Sequence, residues 1–218
     1  MTVTSSTQSI VNPGRLQDAV ALAGQAAKLL ERHGASDVRL LAAIIAGEAT
    51  GTLDLESEYP DVEGWGASSD SMVGDTELQQ LMDVARGPNS PVNIVNQVLT
   101  SDIPLDRAGN NERGSIVEVH ASRLTPGRMV DALEFARRSA DYVEARGATH
   151  ARLATIFAAG TASNLLLMTW EFPTLKAYGK LCDSWTSDPE GLALYEAFLG
   201  PDPTDVEIFS GIYQAIPL

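Results

Sequence analysis

His120 is the one histidine of three that falls in the middle of an apolar, strand-like run, Ile116 to Leu124 (IVEVHASRL). An imidazole titrates near neutral pH, so a histidine facing a cavity can take up and return a proton; a hydrogen-bonded packing histidine is the plainer reading of the same residue. Phe157, Trp170, Tyr178 and Trp185 recur at strand and helix spacing. They would form ordinary core, or they would line a flat apolar pocket with a polar group or two at its rim. Asp54, Glu56 and Glu58 alternate along one face and could gather a cation or hold a raised pKa, although a solvated sheet edge accounts for them more simply. Arg39 with Glu58, and Arg152 with Glu171, are opposite charges set across paired strands. Each is either a carboxylate held in place by a guanidinium for chemistry or a salt bridge that fixes how two sheets meet, and the second is expected. There is no glycine-rich phosphate loop, no Cys-x-x-Cys and no His-x-x-x-His spacing, so no cofactor and no metal is expected.

The elements that must position these residues occur twice. Pro13 and Pro126, Gly34 and Gly147, Glu58 and Glu171, and Pro104 and Pro217 are all separated by one and the same interval, which sets each position of a first copy against its equivalent in a second. Two units result, 1–105 and 116–218, joined by the polar, glycine-containing stretch 106–115, which reads as an exposed connector. Each opens on a strand, weak in the Ser/Thr-rich 3–11 and clear in 116–124. Asn12-Pro13 and Thr125-Pro126 then read as a side-chain N-cap followed by proline at the first helical position. An apolar stripe at three- and four-residue steps follows in each unit, closed by Gly34 and Gly147.

Residues 37–59 and 150–172 read as hairpins turning near Gly47 and Gly160, in a register that sets Arg39 opposite Glu58 and Arg152 opposite Glu171. The other face, with Leu40, Leu53, Leu153 and Leu166, is apolar and should take the helices. Thr174 and Asp188-Pro189 read as further helix starts, whereas the corresponding Ser68 to Ser71 is a weak helix. A last strand closes each unit, about 92–99 and 206–215. Strand, helix, strand, strand, helix, strand is the ferredoxin-like order, and the fold class is α+β. Helices on one face leave the other face of each sheet bare, and the other unit's sheet is the expected cover.

Composition narrows the function. A net charge of −14 repels phosphate backbones, so nucleic acid and anionic membranes are not expected partners. One cysteine, Cys182, cannot form an internal disulfide, and no run reaches the roughly 20 apolar residues of a membrane span. A cytoplasmic protein is expected.

Leu165 to Leu192 (LLLMTWEFPTLKAYGKLCDSWTSDPEGL) resembles the dimeric α/β-barrel superfamily, which includes antibiotic-biosynthesis monooxygenases and EthD-like and NIPSNAP-like proteins. The features that carry it are Trp170-Glu171 closing a strand and an aromatic helix before Asp188-Pro189-Glu190. The resemblance implies two tandem repeats whose sheets pair into one intramolecular barrel, a pseudo-dimer that is a monomer or pairs further into a homodimer. It also implies ligand cavities between sheet and helices. Haem-degrading relatives offer a histidine from the second helix, and Thr174 to Trp185 contains none.

The function expected on this basis is a cofactor-independent monooxygenase-like enzyme for a small aromatic or polyketide-like molecule. Phe157, Trp170, Tyr178 and Trp185 would shape the pocket and His120 would accept the proton. The alternative is a non-catalytic barrel that binds an apolar ligand or docks a partner. Copy one has Ser57, Trp65 and Met72 where copy two has Trp170, Tyr178 and Trp185, so the second unit is expected to keep any pocket.

Overall fold

The structure is a computed structural model describing all 218 residues, with eight strands and six α-helices. Their order is β1 (Val3–Val11), α1 (Leu16–Arg32), β2 (Asp37–Ile45), β3 (Thr52–Tyr59), α2 (Val62–Met72), α3 (Thr76–Arg86) and β4 (Val92–Ile103). The same order then recurs in β5 (Ile116–Leu124), α4 (Met129–Glu144), β6 (Thr149–Ala158), β7 (Leu166–Phe172), α5 (Leu175–Trp185), α6 (Pro189–Leu199) and β8 (Asp205–Ile216). Two compact units result. One comprises 1–101 with 157–163 and 215–218, the other 102–156 with 164–214.

In the first unit β1 lies between β3 and β4, with β2 outside β3, and all pairs are antiparallel. In the second, β5 lies between β7 and β8 with β6 outside β7, again antiparallel. Both sheets therefore have the ferredoxin-like strand order. Each unit carries one helix more than the six-element pattern, because the segment after the third strand folds as two. Ser68 to Ser71 does not break α2: Asp61 caps it by accepting from Gly64 N, and Asp75 caps α3 by accepting from the N–H groups of Glu77 and Leu78.

The helices cover the apolar face of each sheet. Ala19, Leu40 and Leu53 centre one core, and Ala132, Ala136, Ala140, Leu153 and Leu166 centre the other. The small residues of α1 and α4 let those helices approach closely.

Several local expectations are corrected. Asn12 and Thr125 do not cap helices. Their side chains donate to the carbonyls of Ser90 and Pro203, and α1 and α4 begin only at Leu16 and Met129, after turns in which Gly14 and Gly127 take φ of 75° and 81°. Both hairpin registers shift. The turns contain a short 3₁₀ segment (Gly47–Ala49 and Gly160–Ala162) and are longer than expected, so Arg39 stands opposite Glu56 and Arg152 opposite Thr169. The slide in the first hairpin is by an even number of residues and leaves each side chain on its expected face.

In the second unit the charges have further partners. Arg152 grips Asp102 through Nη2 at 2.7 and 2.9 Å, and Glu171, 2% exposed, accepts from Arg113 Nη1 at 2.8 Å and Gly114 N at 2.6 Å. Residues 106–115 are mostly exposed, as expected of a connector, but are tied to the second unit. Arg107 pairs with Asp141 and Glu144 on α4, and His150 N donates to Asn110 O. Asp54, expected at a solvated edge, is 8% exposed.

Candidate active site in the second unit

Between the sheet and helices of the second unit lies a cavity of about 370 Å³. Its sheet wall is supplied by Glu118 and His120 of β5 and by Met168 and Trp170 of β7. The alternation of a strand brings Glu118 and His120 to one face, two residues apart. Its helix wall includes Ser139 of α4 and Tyr178, Cys182 and Trp185 of α5. Thr174, which accepts from Ala177 N, caps α5 and sets its first turn, placing Tyr178 one turn and Trp185 three turns along.

The polar groups converge on Glu118. Trp170 Nε1 donates to its Oε2, and Tyr178 OH donates to its Oε1 at 3.2 Å. His120 Nδ1 donates to Glu207 Oε2 on β8 at 2.7 Å, while Nε2 lies 3.4 Å from Glu118 Oε1. That second contact is an ion pair without hydrogen-bond alignment, since Nε2 is buried and has no hydrogen-bond partner. The imidazole ring also packs on Trp170, with centroids 5.0 Å apart.

Burial alone would lower the His120 pKa, but the two carboxylates outweigh it and raise the pKa to about 9. His120 is therefore a cation at neutral pH, and a proton acceptor must be neutral. In return, His120 holds the Glu207 carboxyl below its ordinary range. Burial pushes the Tyr178 phenol well above its usual value, helped by Cys182 and the charge of Glu118, so Tyr178 is a neutral hydrogen-bond donor. Cys182 is likewise held as a thiol, chiefly by burial.

The structure thus brings His120, Trp170, Tyr178 and Trp185 to one cavity and leaves Phe157 out. Phe157 is 37% exposed near the end of β6, in the segment that groups with the first unit. Sequence reasoning missed Glu118, Glu207 and Ser139. Glu118 carried a signal, because it shares a strand face with His120 and because Ser5 occupies the equivalent position of the first unit.

The first unit also encloses a cavity, of about 570 Å³, so the asymmetry in aromatic residues does not abolish it. Its walls include Ser5, Thr7, Ala26, Ser57, Trp65 and Met72, the first-copy equivalents of Glu118, His120, Ser139, Trp170, Tyr178 and Trp185. No His, Asp, Glu, Lys or Arg lines it. The two cavities share a position in the fold and differ in chemistry.

No family model matches the sequence, and no curated protein matches it. Solved structures do match. An anthrone oxidase-like protein superposes with a TM-score of 0.60 at 10% identity, over 99% of this chain and 92% of that one. A protein of Fusobacterium nucleatum subsp. nucleatum, provisionally named a monooxygenase, gives 0.58 at 11%, over 99% and 93%. A variant of the chlorite dismutase from Candidatus Nitrospira defluvii gives 0.57 at 9%, over 100% and 91%. At such identities the likeness establishes architecture and not activity: this chain shares the fold of these structures.

Proposed function

We propose that this protein is a small-molecule enzyme, resembling cofactor-independent monooxygenases, that acts on an aromatic or polyketide-like substrate in the cavity of the second unit. The observation that carries the reading is the cluster around His120. An apolar, aromatic-walled space of about 370 Å³ has a histidine between two carboxylates, its Nε2 3.4 Å from Glu118 without an aligned hydrogen bond, and a drug-sized flat molecule fits such a space. The names of the anthrone oxidase-like and monooxygenase structures agree with this chemistry.

In this reading His120 is the group that handles charge, in a role revised from acceptor to stabiliser. With Glu118 and Glu207 already beside the imidazolium, its help to a substrate anion is local: Nε2–H donates to the phenol or enol oxygen and steadies the anion as the proton passes to solvent. The resulting carbanion reduces dioxygen itself. A substrate methylene becomes a carbonyl, one oxygen atom enters the product and the other leaves as water, so no external reductant is needed. Tyr178 and Trp170 hold Glu118 in place, and Trp185 shapes the apolar wall. The two units act as tandem repeats whose sheets close on one another as one barrel, in a cytoplasmic protein that is a monomer or a homodimer of such pseudo-dimers.

Oxygen uptake with fused-ring phenols and anthrone-like ketones tests the reading. His120→Gln, which removes the cation, should lower turnover at least about 100-fold, in line with the loss of one oxyanion-stabilising donor. Wild-type turnover should be flat through neutral pH and fall above about 9, as the imidazolium is lost. A rate that climbs through pH 9 would restore His120 as base. Tight binding with no oxygen uptake by any of these compounds would favour the alternative, a non-catalytic ligand-binding barrel.

A further inference from the structure

Ser139 is 2% exposed on α4, in the apolar stripe that also carries Ala132, Ala136 and Ala140. A helical serine ordinarily returns its hydroxyl to the carbonyl four residues back, here that of Phe135. The Ser139 hydroxyl has no partner at all, and it borders the second-unit cavity. Leaving a buried hydroxyl unsatisfied is costly, and alanine would fill the same volume at no such cost. The chain itself shows that alanine is accepted at this place in the fold, because Ala26 holds the equivalent position of the first unit and lines the other cavity. Close helix packing therefore does not explain the serine.

A second polar atom without an aligned hydrogen bond belongs to a residue of the same lining: His120 Nε2 is buried 3.4 Å from Glu118 Oε1, and the first-unit counterpart of His120 is Thr7. His120 belongs to β5 and Ser139 to α4, so the imidazole paired with Glu118 belongs to the sheet wall and the unpartnered hydroxyl to the helix wall.

We infer that Ser139 is a substrate-binding residue and that its hydroxyl and the His120 Nε2–H together select a flat molecule carrying two oxygen functions, one met by each wall. The inference rests on the proposed reading of the cavity and adds the substrate's polarity pattern to it. His120 takes the acidic phenol or enol oxygen, and Ser139 donates to a carbonyl oxygen elsewhere on the ring system. A one-oxygen aromatic satisfies only His120. The first-unit cavity, with Ala26 and Thr7 at these positions, does not read this pattern.

The test uses the full-length protein and two probes, 2-hydroxyanthraquinone and 2-hydroxyanthracene, followed by quenching of tryptophan fluorescence. Ser139→Ala should weaken 2-hydroxyanthraquinone about three- to tenfold, the size of one neutral hydrogen bond, and leave 2-hydroxyanthracene unchanged. His120→Gln should weaken both. Thermal melts confirm folding, and alanine in mid-helix favours it. Equal effects of Ser139→Ala on the two probes, or none on either, would overturn the role of Ser139 while the cavity reading stands. If neither probe binds the wild-type protein, the cavity reading fails and the inference falls with it.

Discussion

His120 and Asp54 have pKa values displaced upward for opposite electrostatic reasons, and both displacements have consequences for stability. Asp54 is raised to about 7, first by burial and then by the neighbouring Glu56 charge, against the contrary pull of a hydrogen bond with Gln8. The folded state therefore holds this proton more tightly than the unfolded chain does. The stability it contributes is full below about 3.8 and is lost as pH rises through about 7, up to about 4 kcal/mol in all. Asp54→Asn imitates the protonated form, so its melting temperature should exceed wild type at pH 8 and match it near pH 4. An equal melting temperature at pH 8 would mean that Asp54 is ionised without penalty.

His120 has the same sign in a later window. Its contribution is full below about 6.5 and is lost as pH rises through about 9, so His120→Gln should destabilise more at pH 6 than at pH 10. Candidate groups were legible in the sequence where they were rare, as with a lone mid-strand histidine and clustered aromatics. Their protonation states were not legible, because these are set by Glu207, which lies far along the chain from His120 on the last strand.

The elements themselves were legible where local chemistry decides them. Thr174 and Asp188 cap α5 and α6 as expected, and Gly34 and Gly147, with φ of 105° and 95°, follow the ends of α1 and α4. What failed were features fixed by length or by distant contacts. Hairpin register depends on how many residues the turn consumes, and proline after Asn12 and Thr125 marked a turn and not a helix start. The exposure of the connector was legible in its polar composition, but its attachment was not, since Arg107 and Arg113 find carboxylates on α4 and β7.

Gly114 is central to that attachment. A Cβ there would lie 2.5 to 2.7 Å from the Phe172 backbone, which cannot rotate away. Gly114→Ala should therefore break the hydrogen bond to Glu171, leave a buried carboxylate short of a donor, and cost roughly 2–4 kcal/mol. For a chain of this length that is a fall of roughly 4–16 °C in melting temperature. Hydrogen exchange should then quicken in residues 106–115, whereas unchanged protection there would show that the strap does not depend on this contact.

At the scale of the whole molecule, the constant offset between the two copies was the most informative feature of the sequence, since one unit could be read against the other. It pointed to a shared order of elements and, in the cavities, to where the chemistry differs. No helix is long and apolar enough to cross a membrane. The proposed closure of the two sheets predicts a single compact particle with a radius of gyration of about 17 Å for a monomer, measurable by small-angle scattering. A much larger value for a monomer, with two separate thermal transitions, would contradict closure.

The account depends above all on a cationic His120, held between Glu118 and Glu207, whose Nε2–H meets a substrate oxygen in the second-unit cavity. Its ring protons can be followed by NMR across pH, with and without 2-hydroxyanthraquinone, and assigned by their loss in His120→Gln. They should titrate near pH 9 in the free protein and higher still with the probe bound. A midpoint at or below 6.5 that the probe does not move would contradict the account.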